Sequence, residues 1–249
     1  MPAEPLIEAA GLAVGYGGPP AVTGVSFALE ARERLALLGP NGGGKTTIMR
    51  ALLGELRPIV GKLRVGVACG SVPQTDRSRL DYPVSALQVA TMGALSRLPW
   101  WRRPGREERE SARGALARVG VEGLAGETFG ELSGGQRQRV LIARALVQDA
   151  GVLLMDEPFT GLDRPAAEGL EELISALAAE GHAVVIATHD LEQARRWDSV
   201  LCVNGHQIAA GPPERVLDVD VLEATYGGAL VEIPGSGGKA ILPAHHHHH

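Results

Sequence analysis

Residues 34–54 read RLALLGPNGGGKTTIMRALLG, and this stretch decides the fold. Leu35, Ala36, Leu37 and Leu38 form an apolar strand, and the segment from Lys45 onward reads as a helix. Between them Gly39, Pro40, Asn41, Gly42, Gly43, Gly44, Lys45, Thr46 and Thr47 fit G-x-x-x-x-G-K-[ST]. Strand, glycine-rich loop, helix is the context that makes this pattern a phosphate cradle. The glycines let the backbone wrap tightly and aim its N–H groups at phosphate oxygens. The helix N-terminus adds partial positive charge. Lys45 reaches the β- and γ-phosphates of a nucleotide, and the Thr46 hydroxyl is a Mg²⁺ ligand.

Outward from this loop the chain alternates strands and helices. Upstream, LIEAAGLAVGY (6–16) and VTGVSFALE (22–30) read as short strands; downstream, residues 58–73 return to strand character. From about Leu80 to Ala150 the pattern is helical and charge-rich, as in REERESARGALARVG (106–120). Strand character resumes at VLLMDEP. In residues 166–181, Leu170, Leu173, Ile174 and Leu177 recur at helical spacing and Gly181 stands at the C-terminal cap position. AVVIATHD (183–190) is a buried strand running into a helix start. The expected fold is α/β: a P-loop NTPase core with a mainly parallel sheet, an antiparallel β subdomain, and an α-helical subdomain inserted at about 80–150. Residues 1–240 are expected to form one domain, followed by a His-rich tail over 241–249.

Asp156 closes the apolar run Val152, Leu153, Leu154, Met155. An acid at the end of a buried strand needs a charge partner, because desolvating it alone is costly. A Mg²⁺ shared with Thr46 and the nucleotide supplies one. Glu157 follows at the C-terminal end of the strand, placed to polarise an attacking water as general base.

The bulk numbers are those of an ordinary globular chain. The chain has 249 residues, 45% of them hydrophobic, and a formal net charge of −5, which argues against a nucleic-acid partner. No apolar run approaches the ~18 residues of a transmembrane helix. The N-terminus lacks a signal-peptide pattern, so the chain is expected in the cytoplasm. Cys69 and Cys202 match no metal-ligand spacing and read as small, reduced core residues.

The phosphate loop and the acidic pair do not by themselves choose a function. The deciding segment is LSGGQ, Leu132–Gln136. Here the sequence resembles the ATP-binding subunits of ABC transporters, over nearly the whole chain from Tyr16 to about Gly228 and with the motifs in family order. The resemblance implies ATP and Mg²⁺ as cofactors. It implies that Tyr16 stacks on adenine and that Gln74 senses Mg²⁺ and the membrane partner. It further implies that Asp163 lies on a loop crossing to the opposite subunit and that His189 contacts the γ-phosphate. Ser133 is a helix-capping type, and Gly134, Gly135 and Gln136 follow it as a second anion site. In the family, the LSGGQ of one subunit closes over the ATP held by the other. One copy of each motif and no internal repeat then imply a dimer, with a second copy of the chain or with a homologous ATPase subunit.

Residues 72–103, FTGLD (159–163) and AAGPPERVL (209–217) look like the subunits of manganese, zinc or iron uptake systems and, less closely, of ferric-siderophore importers. An exporter subunit would use the same chemistry. A soluble ABC ATPase usually carries two cassettes or a long coiled-coil insertion, and this sequence has neither. The resemblance implies transmembrane permease subunits and, indirectly, an extracytoplasmic substrate-binding protein, with the chain at the cytoplasmic face of the cell membrane. Trp100, Trp101, Arg102 and Arg103 read first as a solvated loop, with a partner contact as the alternative. His245–His249 read as a purification tag or as a metal-buffering tail.

Overall fold

The computed structural model describes residues 4–74, 83–227, 230–232 and 239–241. The His-rich tail and residues 75–82 of the 72–103 stretch lie outside the described residues. In chain order the elements begin with β1 (Ile7–Val14), β2 (Val22–Leu29), β3 (Arg34–Leu38), α1 (Lys45–Leu52) and β4 (Val60–Val65). Next come β5 (Cys69–Val72), α2 (Ala86–Thr91), α3 (Arg106–Arg118), α4 (Gly134–Val147), β6 (Val152–Asp156), α5 (Arg164–Ala179) and β7 (Ala183–Thr188). The last are α6 (Leu191–Ala194), β8 (Ser199–Val203), β9 (Gln207–Gly211), α7 (Pro213–Val216), α8 (Val219–Tyr226), β10 (Leu230–Glu232) and β11 (Lys239–Ile241). The chain divides into two compact units.

The first unit holds Glu30–Glu33 and Val65–Ile186, with the chain's first residues. Strand β5 pairs in parallel with β6, in register from Cys69↔Val152 to Val72↔Met155. Val152, Leu153, Leu154 and Met155 are all fully buried. Helices α2, α3 and α4 pack on one another around Leu116, Val140 and Ile142. The helical stretch read between 80 and 150 is thus three α-helices joined by 3₁₀ turns. Arg139 of α4 ties that helix to the end of α3 and to α5 by donating to the carbonyls of Val119 (2.8 Å) and Gly169 (2.8 Å). Helix α5 buries Leu170, Leu173, Ile174 and Leu177, the face its sequence spacing predicts. Gly181 follows it with φ 120°, the glycine-type ending expected there.

The second unit holds Ile7–Leu29, Arg34–Arg64 and the chain from Ala187 onward. Strands β2, β1 and β4 lie side by side in that order, with β1 and β2 antiparallel from Ile7↔Leu29 to Val14↔Val22. Strand β3 pairs in parallel with β8, from Leu35↔Ser199 to Leu38↔Cys202, and β8 pairs antiparallel with β9. The strand-like stretch 58–73 therefore splits: β4 joins β1 in this unit, whereas β5 joins β6 in the other. Arg34 fixes the start of β3 by donating to Asp198 through Nε (3.1 Å) and Nη2 (3.2 Å). Cys202 is buried and Cys69 half-buried, both as free thiols. Burial pushes each thiol up to about 11, which keeps them protonated and inert at neutral pH.

Candidate functional site

The phosphate loop belongs to the second unit. It leaves β3 at Gly39, where a Cβ would stand 2.1 Å from the Val203 carbonyl oxygen, so no larger residue fits against β8. Within the loop the Gly43 N–H donates to Pro40 O (3.0 Å), and the Gly205 N–H donates to Gly43 O (3.0 Å). Gly44, with φ 104°, turns the chain into α1, and a Cβ there would meet Val22 at 2.8 Å. Left-handed backbone and close approach both demand glycine at this point.

Lys45 is 7% exposed. Its Nζ donates to the carbonyl oxygens of Gly39 (2.6 Å) and Pro40 (3.1 Å), which hold the ammonium inside the loop. Thr47 is buried while Thr46, Asn41 and Gly42 are exposed, which leaves the Thr46 hydroxyl at the surface. No side chain caps α1, and no acidic residue stands in its first turn. An uncapped helix start has N–H groups to offer, and together with a buried ammonium it fits a polyphosphate.

Tyr16 stands in the same unit. Its hydroxyl lies 3.3 Å from Thr47 Oγ1, and the residue is 57% exposed. The guanidinium carbon of Arg50 sits over that ring, 5.7 Å from the centroid. Sequence reasoning missed Arg50, because a basic residue in the last turn of a helix reads as a complement to the helix dipole. His189 is exposed at the end of β7. The turn carrying it is locked by Asp190, which accepts from the N–H groups of Glu192 (2.9 Å) and Gln193 (3.2 Å).

In the first unit, Asp156 is the half-buried last residue of β6, and Glu157 follows with φ 47°. A glutamate in left-handed backbone is uncommon, and such backbone concentrates where a side chain must be aimed. Thr160 Oγ1 donates to Glu157 Oε2 at 3.3 Å, a partner no motif signals. Gln74 is half-buried, two residues beyond β5.

The LSGGQ segment forms the start of α4. Ser133 Oγ accepts from Gln136 N (3.3 Å) and Gln136 Oε1 accepts from Ser133 N (2.9 Å), a complete capping box. A Cβ on Gly134 would meet Leu162 Cδ2 at 3.2 Å, and one on Gly135 would meet Ala166 Cβ at 3.1 Å. These glycines therefore also let α4 seat closely against the start of α5. Asp163 caps α5 by accepting from Ala166 N at 2.9 Å. Trp100 and Trp101 are 92% and 71% exposed and meet edge to face.

Among the described residues, no helix is long and apolar enough to cross a membrane, and no three His, Cys, Asp or Glu residues cluster as a metal site. The Thr46 hydroxyl, beside the phosphate loop, and the Asp156 carboxylate, in the other unit, are each a hard oxygen donor of the kind Mg²⁺ takes, and Mg²⁺ bound with a nucleotide completes its shell with phosphates and water.

The family model for ABC transporters matches residues 22–160. The chain is 36% identical to the chelated iron transport system membrane protein YfeB of Yersinia pestis, over 88% of this chain and 78% of that protein. It is 34% identical to the manganese transport system ATP-binding protein MntB of Bacillus subtilis, over 90% and 93%. It is 39% identical to the zinc import ATP-binding protein ZnuC of Paracoccus denitrificans, over 90% and 85%. Among solved structures, a transporter described as metal-chelate type, in an inward-facing conformation, superposes with a TM-score of 0.83 at 28% identity, covering 98% of this chain and 99% of that one. The cbiO1 subunit of the cbiONQ transporter from Clostridium perfringens gives a TM-score of 0.75 at 28% identity, over 89% and 94%. A phosphate loop leading into an uncapped helix, an LSGGQ helix start and these likenesses agree: the chain belongs to the ABC transporter family, as an ATP-binding subunit that hydrolyses ATP.

Proposed function

We propose that this subunit powers an importer for a metal cation, with manganese, zinc or iron as cargo. It acts with a second copy of itself, or with a homologous ATPase subunit, on transmembrane permease subunits at the cytoplasmic face of the cell membrane. The observation that carries the cargo class is the set of relatives named for iron, manganese and zinc transport, each aligned over nearly nine-tenths of this chain.

In this reading the N–H groups of Gly42–Thr47 and the Lys45 ammonium hold the β- and γ-phosphates of ATP. Tyr16 offers its ring to the base. The Thr46 hydroxyl, the Asp156 carboxylate and Gln74 would hold Mg²⁺, which when bound neutralises charge on the transferring phosphoryl group. Glu157 takes the proton of the attacking water, and Thr160 fixes the orientation of its carboxylate. His189 donates to the γ-phosphate. Ser133, Gly134, Gly135 and Gln136 of one copy close over the ATP of the other, and Asp163 lines the same junction. Closure of the pair drives the permease through a contact near Gln74.

The test is reconstitution with the permease expected to be encoded beside this subunit's gene and with its extracytoplasmic binding protein. ATP hydrolysis is expected to rise when the binding protein carries Mn²⁺, Zn²⁺ or an iron species, and to lose that rise in Gln74→Ala while ATP still binds. Stimulation only by a non-metal solute such as an amino acid contradicts the cargo assignment.

A further inference from the structure

Two neighbours on one helix hold the Tyr16 ring. Thr47 and Arg50 are three residues apart on α1, so their side chains share a face of that helix. Thr47 meets the tyrosine hydroxyl at 3.3 Å, and Arg50 covers one ring face at 5.7 Å. Arg50 is itself tethered, with Nε 3.7 Å from Glu55 Oε2 and with its carbonyl accepting from Glu55 N at 2.9 Å. Tyr16 nevertheless remains 57% exposed as a residue. With the hydroxyl engaged and one face under a guanidinium, the opposite face is what remains for a flat ligand.

We propose that Arg50 is a positioning residue for nucleotide binding: it backs the Tyr16 ring, so that the free face stands ready for the purine base. The inference rests on the reading of Tyr16 as the base platform. Tyr16 sits in the loop GYGGPP (15–20), where an unbacked aromatic would exchange rotamers and have to be ordered by its ligand. Fixing the ring in advance removes that ordering cost from binding. A cation on the far face also draws electron density from the ring and favours stacking of an electron-rich purine on the near one.

The test compares ATP with inorganic tripolyphosphate, which has the phosphates but no base. Titration calorimetry uses the full chain as wild type, Arg50→Ala, Arg50→Lys, Tyr16→Ala and the double variant. An exposed cation–π contact predicts that Arg50→Ala weakens ATP by roughly two- to five-fold. Tripolyphosphate binding should be unchanged, Arg50→Lys should recover most of the ATP affinity, and Arg50→Ala should cost nothing further once Tyr16 is Ala. An equal loss with tripolyphosphate, a full loss that persists without Tyr16, or no loss at all overturns the proposal. If Tyr16→Ala weakens ATP and Arg50→Ala does not, the platform stands and only the role of Arg50 falls. If Tyr16→Ala binds ATP like wild type, the platform reading falls and this inference with it.

Discussion

Helix α1 and helix α4 both begin in glycine-rich sequence, at GPNGGGKTT and LSGGQ, yet they treat their first N–H groups differently. At α4 the hydroxyl of Ser133 and the amide of Gln136 close a capping box. At α1 the cap position is Gly44, no side chain reaches back, and no acid stands in the first turn. Orphan N–H groups at a helix start are normally satisfied by a side chain, water or a ligand. Among the described helices of eight or more residues, α4, α5 and α8 are each capped by a side chain, from Ser133, Asp163 and Asp218. In α3, Glu108 Oε2 accepts from Gly105 N at 2.6 Å. The contrast separates a site whose protein groups await an anion from one that is satisfied by itself and must trade its own hydrogen bonds to meet one.

That difference can be broken from either side. The largest effect is expected beyond both loops, at the candidate base: Glu157→Gln should lower turnover by about 10²–10⁴-fold, with ATP affinity retained. An ATPase assay showing near-parent turnover would remove Glu157 from the chemistry. Next is an acid in the open loop. Gly42 has φ 80° and free space where a Cβ would stand, a conformation Asp tolerates. Gly42→Asp should lower the melting temperature by only a few degrees, the strain of left-handed backbone being smallest for Asp and Asn, and weaken ATP by about ten-fold or more through charge repulsion. Unchanged affinity would mean the loop does not face the phosphates.

At the self-capped end, Gly135→Asp should leave ATP binding to a single chain intact and cut turnover, because its carboxylate would meet the phosphate held by a second chain. Gly135→Ala separates charge from packing, since its methyl must displace Ala166 by only a few tenths of an ångström from a 3.1 Å contact. Equal loss in both variants would make seating against α5 the sole reason for glycine. The smallest effect is Ser133→Ala, which removes the cap and should cost about 1 kcal/mol of stability by denaturant unfolding. No equivalent cap exists at α1 to remove.

The sequence made the two loops legible because their chemistry is local. Gly44 and Lys45 sit at the strand-to-helix junction their motif requires, and Ser133 with Gln136 is a capping pair three residues apart. The buried face of α5 was legible for the same reason, through Leu170, Leu173, Ile174 and Leu177. What stayed hidden depends on partners distant in sequence. Nothing in residues 58–73 says that β4 turns to β1 while β5 turns to β6. The packing of Gly135 on Ala166 and the placement of Arg50 over Tyr16 are tertiary in the same sense. The φ of 47° at Glu157 is local, but no residue type announces it, because glutamate gains nothing from left-handed backbone.

The central claim is that one chain binds ATP at its open loop and that two chains are needed to close over it. Sedimentation of Glu157→Gln with and without ATP and Mg²⁺ tests this most directly, since slow hydrolysis preserves the closed form. The predicted result is a monomer without nucleotide and a dimer with ATP, the dimer abolished by Gly135→Asp while ATP remains bound. A Glu157→Gln chain that stays monomeric at saturating ATP would contradict the account.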